Sequence, residues 1–190
     1  VERVAPIWQE WMQSWPTPAA FAQAGTDEIL RAWGSLGYPR RALRLKECAQ
    51  VIVDEHGGKV PEDVDKLLAL PGIGDYTARA VACFAYGKNV PVVDTNVRRV
   101  VARVERGEAL GAPGKKEIEQ VAALLPAENG PEFSVGLMEL GALVCTARAP
   151  KCGECPVSDE CEWLAAGKPE AEVKKRTQKF HGTDRQVRGK

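Results

Sequence analysis

The chain has 190 residues, of which 44% are hydrophobic and 27% charged, an ordinary globular composition that provides for one domain or two small lobes. Its 26 Lys and Arg balance 26 Asp and Glu, so any nucleic-acid surface must be local rather than spread over the whole chain. No apolar run approaches the ~20 residues of a membrane-spanning helix, so no membrane partner is expected.

Two helices are predicted in the first part of the chain. Val4, Ile7, Trp8 and Trp11 recur at helical spacing, which predicts an N-terminal helix with one apolar stripe along these four residues. Thr26 is the expected cap of the following short helix, whose first turn is acidic. A third helix is predicted to bury Leu45, Cys48, Ala49 and Ile52 and to end at Gly57.

An aromatic residue and several cations lie together where the third helix begins. Tyr38 precedes Arg40, Arg41, Arg44 and Lys46. Such a group can hold phosphate and stack on a base, although a solvated helix face is the simpler explanation.

The stretch from residue 70 to residue 78 predicts a tight hairpin between a short helix at 62–69 and a helix at about 75–86. Gly72 and Gly74 permit positive φ and close approach of another backbone, and Pro71 removes a donor. The free N–H groups of the second helix would point out of the turn and bind phosphate without a charged side chain. A helix–helix turn with a glycine cap is the alternative.

Asp94 follows the extended apolar residues 90–93 and is the expected cap of the next helix. Val97, Val100, Val101 and Val104 form the apolar stripe of that helix, and we expect its three arginines to lie outside the stripe: Arg98, Arg99 and Arg103. Residues 105–116 indicate a linker, and helices follow near 116–125 and 131–144. The coarse prediction is an all-α protein of about eight helices.

Four cysteines, Cys145, Cys152, Cys155 and Cys161, follow the spacing C-x6-C-x2-C-x5-C. Structural zinc sites usually combine two close pairs from separate turns, whereas one compact loop of four thiolates suits an iron–sulfur cluster, with zinc as the alternative. Because the loop has no core of its own, the metal must supply its folding free energy. From residue 174 onward the tail has seven Lys or Arg and one acid, which suits nucleic-acid contacts or a linker.

These motifs occur in the order found in one family. Residues 70–74, residues 92–100 and the cysteine loop resemble the helix-hairpin-helix DNA glycosylases of the endonuclease III superfamily. The resemblance implies a two-lobed all-α fold, with a helical barrel lobe at 1–105 that contains the hairpin at about 62–86. A cluster-bearing lobe would follow at 106–165, with its cysteine loop at 145–161, and then a basic tail or linker at 166–190.

The resemblance also implies the functional residues. Asp94 would be the catalytic aspartate, and the four cysteines would hold a 4Fe–4S cluster. The DNA contacts would come from Gly72, Ile73, Gly74, Tyr38, Arg40 and Arg41. The implied partner is double-stranded DNA with a mismatched or damaged base, bound by a monomer at the nucleoid in a bacterial cytoplasm.

Tyr76 stands where bifunctional members of the superfamily carry a lysine that forms a Schiff base. Tyrosine cannot form an imine, so the chain resembles monofunctional members, which use water. MutY-type adenine glycosylases, which act on adenine opposite 8-oxoguanine or guanine, and thymine or uracil glycosylases acting on G·T mismatches both fit. Residues 36–42 and 138–142 look most like the adenine branch, with Tyr38 near the lesion pair.

The sequence departs from the adenine branch in two places. The glutamate that protonates the departing base, with its Leu-Gln-Gln-Thr neighbour, is absent, and so is the C-terminal domain that senses 8-oxoguanine. The 190 residues are therefore expected to bind DNA and to excise slowly or not at all. A non-catalytic DNA-binding module and a zinc-stabilised helical interaction protein are the competing interpretations.

Overall fold

The computed structural model describes residues 4–111, 114 and 116–170, and these residues form α-helices and short helical turns without a β-strand. The helices are α1 Ala5–Ser14, α2 Pro18–Gln23, α3 Thr26–Trp33, α4 Arg40–His56, α5 Val64–Leu68, α6 Asp75–Ala80, α7 Thr95–Arg106, α8 Glu117–Leu124, α9 Gly130–Glu139 and α10 Glu162–Ala165. Two π-helical turns, Val81–Ala85 and Leu140–Val144, extend α6 and α9, and a 3-10 turn covers Cys152–Glu154. The predicted all-α fold is confirmed, and none of the described helices is both long and apolar enough to cross a membrane.

The chain forms two compact units. The first, here called the hairpin unit, comprises Val1–Val92 and Leu124–Phe133. The second, the cysteine-loop unit, comprises Val93–Ala123 and Ser134–Lys190, of which the structure describes residues up to 170. The lobe boundary predicted at residues 105 and 106 differs from this division and stays a prediction, and the predicted tail from residue 174 lies outside the described residues.

The core of the hairpin unit consists of two apolar clusters that share α4. In one cluster α2 and α3 pack on α4 through Phe21, Ile29 and Ala42. In the other, Cys48 and Ile52 of α4 contact the two helices of the hairpin, where Leu67 and Ala78 are buried. Burial raises the pKa of the Cys48 thiol, so this side chain behaves as a neutral core residue. Helix α4 is thus the support on which the hairpin is held.

The apolar stripe predicted for α1 is wrong at two of its four residues, Val4 and Trp8. Val4 and Trp8 are 51% and 59% exposed, whereas the ring of Trp11 lies 5.1 Å from that of Phe21 and 5.8 Å from that of Trp33. Helix α1 packs on the core cluster through Trp11 in its last turn, and the prolines at 16 and 18 follow the helix. Burial of α1 therefore rests on Trp11 and its neighbour Trp15.

Two smaller predictions also differ from the structure. Leu45 is 40% exposed, whereas Ala42 is buried on α4 together with the predicted Cys48, Ala49 and Ile52. Helix α3 is capped by Gly25 rather than Thr26, since the Gly25 N–H donates to Glu28 Oε2 at 2.9 Å. The ends of α4 agree with prediction, with Gly57 in the left-handed conformation.

Replacing Trp11 by alanine is expected to lower the free energy of unfolding by about 2–4 kcal/mol, because it removes ring contacts with Trp15, Phe21 and Trp33. The matched change Trp8→Ala, on the exposed side of the same helix, should stay within about 0.5 kcal/mol of the parent. Urea midpoints followed by circular dichroism measure both. Equal losses for the two variants would show that α1 packs along all four residues of the predicted stripe.

Candidate functional site

The turn between α5 and α6 is an exposed glycine hairpin with a buried base. Asp63 caps α5 by accepting the N–H groups of Asp65 and Lys66 at 3.0 Å each, and Leu70 is 3% exposed. Gly72 follows with φ of +78°, and Gly74 is extended and precedes α6. Both glycines are exposed, so the turn presents main chain rather than side chains to solvent.

Gly72 is required by conformation and by contact. A Cβ atom at this position would lie 3.0 Å from Cβ and 3.3 Å from Cδ of Arg44, so the alkyl stem of Arg44 packs directly beneath the turn. Past Gly74 the first N–H groups of α6 have no intrahelical acceptor and carry the positive end of the helix dipole. The hairpin can therefore bind an anionic backbone through neutral donors.

Tyr38 is held in an unusual backbone conformation beside two exposed arginines. Its φ is +49° and its side chain is 81% exposed, while the indole N–H of Trp33 donates to the Gly37 carbonyl at 2.8 Å and fixes the turn. Arg40 and Arg41 lie exposed in the first turn of α4, where the helix dipole disfavours cations. Their placement therefore does not stabilise the helix, and both side chains are open to solvent.

The other two cations of this group serve the fold. Lys46 donates to the Ala24 carbonyl at 2.7 Å, and the stem of Arg44 supports Gly72. Only part of the predicted cationic group is thus available as a surface.

In the cysteine-loop unit, the π-helical turn after α9 places the first cysteine. The Cys145 N–H donates to the Leu140 carbonyl at 2.7 Å, one residue farther back than in an α-helix. The Lys151 N–H then donates to the Val144 carbonyl at 2.9 Å, which folds the loop back, and the 3-10 turn carries Cys152. The loop ends at Cys161, which precedes α10.

All four cysteines line one hollow, together with Val100, Arg103, Val144, Trp163 and Leu164 among others. Within the described residues no three Cys, His or acidic groups meet closely enough to chelate a single ion. The thiols instead stand around an apolar space, and such a donor set fits a group of several atoms, namely an iron–sulfur cluster.

Two arginines of α7 are buried, contrary to the prediction that they lie outside the apolar stripe. Arg99 and Arg103 are 6% and 5% exposed. Hydropathy assigns arginine to the surface, but both guanidinium groups donate hydrogen bonds to backbone carbonyls of the π-helical turn and the cysteine loop. Their i, i+4 spacing was the available signal, since it puts two cations on the same side of one helix.

A chain of hydrogen bonds runs from Asp94 to Cys145 through Arg99. Asp94 Oδ1 accepts the Val97 N–H at 2.7 Å, and Oδ2 accepts the Asn96 side-chain amide at 3.0 Å. Asn96 Oδ1 accepts Arg99 Nη2 at 2.8 Å, and Arg99 Nε donates to the Cys145 carbonyl at 2.7 Å. Asp94 is therefore the N-cap of α7, as predicted, and its carboxylate is fixed from both oxygens.

The Arg99 guanidinium is buried, and burial disfavours its charged form. Burial lowers the pKa of Arg99, the Arg103 charge acts in the same direction, and the charges of Cys145 and Asp94 oppose both. The close partners thus offset part of the desolvation cost.

Gly141 allows α7 to approach the π-helical turn. A Cβ atom there would lie 2.6 Å from Asn96 Cβ and 3.0 Å from the Asn96 backbone, and the Gly141 carbonyl accepts Arg99 Nη2 at 2.5 Å. Only glycine fits between these two segments. The sequence does not reveal this contact, because the two residues are far apart along the chain.

The predicted site residues fall into two groups. The hairpin unit contains Tyr76, which is 49% exposed in the first turn of α6, together with Gly72, Ile73, Gly74, Tyr38, Arg40 and Arg41. The cysteine-loop unit contains Asp94 and brings together all four cysteines.

Comparison with solved structures defines the class of fold. The chain superposes on a thermostable thymine-DNA glycosylase with a TM-score of 0.78 and 32% identity, covering 86% of this chain and 76% of that one. It matches endonuclease III in a non-covalent DNA complex with a TM-score of 0.76 and 25% identity, covering 88% and 79%. The fold is therefore the endonuclease III-like helical fold that was expected.

Sequence comparison then gives the family. Residues 1–127 match the HhH-GPD superfamily base excision DNA repair proteins, and residues 145–161 match the iron–sulfur binding domain of endonuclease III. The chain is 61% identical to the adenine DNA glycosylase of Mycolicibacterium smegmatis, over all of this chain and 65% of that protein. It is 42% identical to the human adenine DNA glycosylase, over 85% of this chain and 30% of that protein.

The chain belongs to the HhH-GPD superfamily of base excision DNA repair proteins. It spans just under two thirds of the M. smegmatis protein. The expected iron–sulfur cluster is confirmed by the match over the cysteine loop, and the interpretation as an unrelated zinc-stabilised protein is wrong.

Gly141→Ala is expected to lower the free energy of unfolding by about 1–3 kcal/mol, because the added methyl group must displace the first turn of α7. The control Gly136→Ala lies in α9 with open space around its Cβ and should be neutral or stabilising by up to about 1 kcal/mol. Thermal unfolding of both variants measures the difference. If Gly141→Ala is as stable as Gly136→Ala, the close contact with Asn96 is not a constraint.

Proposed function

We propose that the protein is a monofunctional DNA glycosylase that hydrolyses the N-glycosidic bond of adenine opposite 8-oxoguanine or guanine. The relatives named adenine DNA glycosylase, at 61% and 59% identity, support the choice of adenine. Tyr76 supports a monofunctional mechanism, because a phenol cannot form the imine through which lyase members cut the strand. The protein would act as a monomer on double-stranded DNA at the bacterial nucleoid.

The observation that carries this proposal is the fixed carboxylate of Asp94. Cleavage of the glycosidic bond develops positive charge on the sugar, and a carboxylate that is already oriented stabilises this charge without reorganisation. The Val97 N–H and the Asn96 amide hold both oxygens in place at the N-terminus of α7. Water then attacks the sugar, while the resemblance assigns protonation of the leaving base to a glutamate that none of these 190 residues matches.

The hairpin and the Tyr38 turn would bind the DNA. Backbone N–H groups at Gly72 and Gly74 suit phosphate contacts, which position a protein without reading sequence. The Ile73 N–H donates to the Leu70 carbonyl at 3.2 Å, so Ile73 would contribute through the shape of the turn between the two glycines. Tyr38 offers an exposed ring for stacking, and Arg40 and Arg41 add charge beside it. Gripping the backbone in this way supports extrusion of the target nucleotide from the duplex.

Cys145, Cys152, Cys155 and Cys161 would be the four ligands of the 4Fe–4S cluster. When bound, the cluster supplies four covalent links that hold a loop without its own core. Arg99 then links the loop to the first turn of α7, because its guanidinium donates to the Cys145 carbonyl and to Asn96 Oδ1. The cluster's role in the proposed reaction is thus to keep Asp94 in position.

Asp94→Asn is expected to lower single-turnover excision by about 10²–10³-fold or more, because the charge that stabilises the sugar is lost while asparagine still caps α7. The control Asp63→Asn changes another capping aspartate, at α5, and should leave excision unchanged. Duplexes with A·8-oxoguanine, A·G and G·T pairs serve as substrates for the full-length gene product and for the 190-residue chain. Excision retained in Asp94→Asn would reduce Asp94 to a helix cap.

The same assay decides the branch of the family. The thymine/uracil-DNA glycosylase of Methanothermobacter thermautotrophicus is 40% identical over 65% of this chain, which makes G·T mismatches the second candidate substrate. Thymine release without adenine release would assign the protein to that branch. A covalent adduct trapped by borohydride would contradict the monofunctional mechanism.

Gly72→Ala is expected to weaken duplex binding by about tenfold or more, since a side chain at φ of +78° and 3.0 Å from Arg44 must distort the hairpin. The control Gly58→Ala carries a similar strain, with φ of +75°, but lies in open space after α4. Fluorescence anisotropy with an undamaged duplex, at two salt concentrations, measures both affinities. Equal affinities for the two variants would remove the hairpin from the binding surface.

A further inference from the structure

The buried cation Arg103 donates a hydrogen bond to a cysteine sulfur. Its Nη1 lies 3.3 Å from Cys145 Sγ and also donates to the Thr146 carbonyl at 2.9 Å. Its Nη2 donates to the Ala147 carbonyl at 3.4 Å, and the side chain lines the hollow that holds the four thiols. The guanidinium is therefore fixed against the proposed cluster ligand itself.

A second set of contacts keeps this guanidinium in place. The ring of Trp163 lies 4.2 Å from Arg103 Cζ, within cation–π distance, and its indole N–H donates to the Pro169 carbonyl at 2.8 Å. Trp163 is 7% exposed and Arg103 5%, so the charge is shielded from solvent. Burial makes the field of this charge at the sulfur stronger than it would be on the surface.

Arg99 and Arg103 differ in what they bond. Arg99 bonds the backbone carbonyls of Gly141 and Cys145 and the Asn96 side chain, so its contacts explain the position of α7. The contacts of Arg103 with the Thr146 and Ala147 carbonyls would be enough to hold the loop. Its hydrogen bond to Cys145 Sγ is an additional contact. A donor to a ligand sulfur is one of the means by which proteins set the potential of an iron–sulfur cluster.

We propose that Arg103 is a positioning residue that holds the cluster in its more reduced charge state, by donating an N–H to Cys145 Sγ and keeping a buried positive charge beside it. This inference rests on the proposed ligation by Cys145. Oxidation removes one electron from the cluster and gives it to an external oxidant, with ferricyanide becoming ferrocyanide in the test below. No bond forms or breaks, and Arg103 keeps its proton on both sides of the step.

The test compares four proteins that contain their native cluster: the parent, Arg103→Gln, Arg103→Lys and the control Arg148→Gln. Arg148 is an exposed cation of the same loop, so its loss removes one charge without removing the sulfur contact. Mediated potentiometric titration gives the reduction potential, normalised to iron and sulfide content. We expect a shift to lower potential for Arg103→Gln, a smaller shift for Arg103→Lys, and no comparable shift for Arg148→Gln.

Two further measurements separate tuning from a structural role. Bleaching of the visible absorption by ferricyanide should be about tenfold faster in Arg103→Gln than in the parent. The Fe–S(Cys) stretching bands in resonance Raman spectra should move when the parent is transferred to deuterium oxide, and this part of the response should be lost in Arg103→Gln. Both readouts are independent of base excision.

An unchanged potential and unchanged Raman bands in Arg103→Gln would overturn the proposal and leave Arg103 as a loop contact. If Arg103→Gln holds no cluster, Arg103→Lys decides, because it keeps the charge beside Trp163 and loses the forked donor. A lower potential in Arg103→Lys supports the proposal, and an unchanged potential overturns it. A parent protein without iron would refute the ligation by the four cysteines, whereas failure to excise adenine would refute only the proposed function.

Discussion

The buried guanidinium of Arg99 joins the helix that carries Asp94 to the residue that begins the cysteine loop. Removing such a charge from water costs several kcal/mol, and well-placed acceptors for its N–H groups offset part of this cost. Here the acceptors are the carbonyls of Gly141 and Cys145 and the oxygen of Asn96. Each lies in a segment with a special local geometry, so the site tolerates little displacement of any one of them.

Those special geometries support one another. The π-helical turn at Leu140–Val144 moves the Cys145 N–H onto the Leu140 carbonyl, and Gly141 lets the first turn of α7 come within contact of this turn. Asn96 then bonds both Asp94 and Arg99. The carboxylate proposed for catalysis is therefore oriented by groups whose own positions depend on the main chain at Cys145, which accounts physically for a metal-bearing loop in a protein whose proposed reaction needs no electron transfer.

Sequence reasoning recovered the helical hairpin, the cap at Asp94 and the cysteine loop, because each depends on residue types with restricted uses. Glycine spacing marks a turn, an aspartate before a helix marks a cap, and cysteine spacing marks a metal loop. The burial of Arg99 and Arg103 was missed, since hydropathy cannot register acceptors that a π-helical turn supplies from a distant part of the chain. The predicted burial of Trp8 is wrong because periodicity identifies an apolar helix face but not how much of that face packs against another element.

The burial of these two arginines also bears on how a chain of zero net charge would bind DNA. Arg99 and Arg103 are internal, Lys46 is bonded to a main-chain carbonyl, and the stem of Arg44 supports the hairpin. In the part of the chain that the structure describes, Arg99, Arg103 and Lys46 are thus engaged in internal contacts. In the proposed complex, uncharged N–H groups of the hairpin therefore make many of the phosphate contacts, and Arg40 and Arg41 add positive charge nearby. Neutral donors of this kind release few counterions, so binding through the hairpin should depend less on salt than binding through a basic patch of equal contact area.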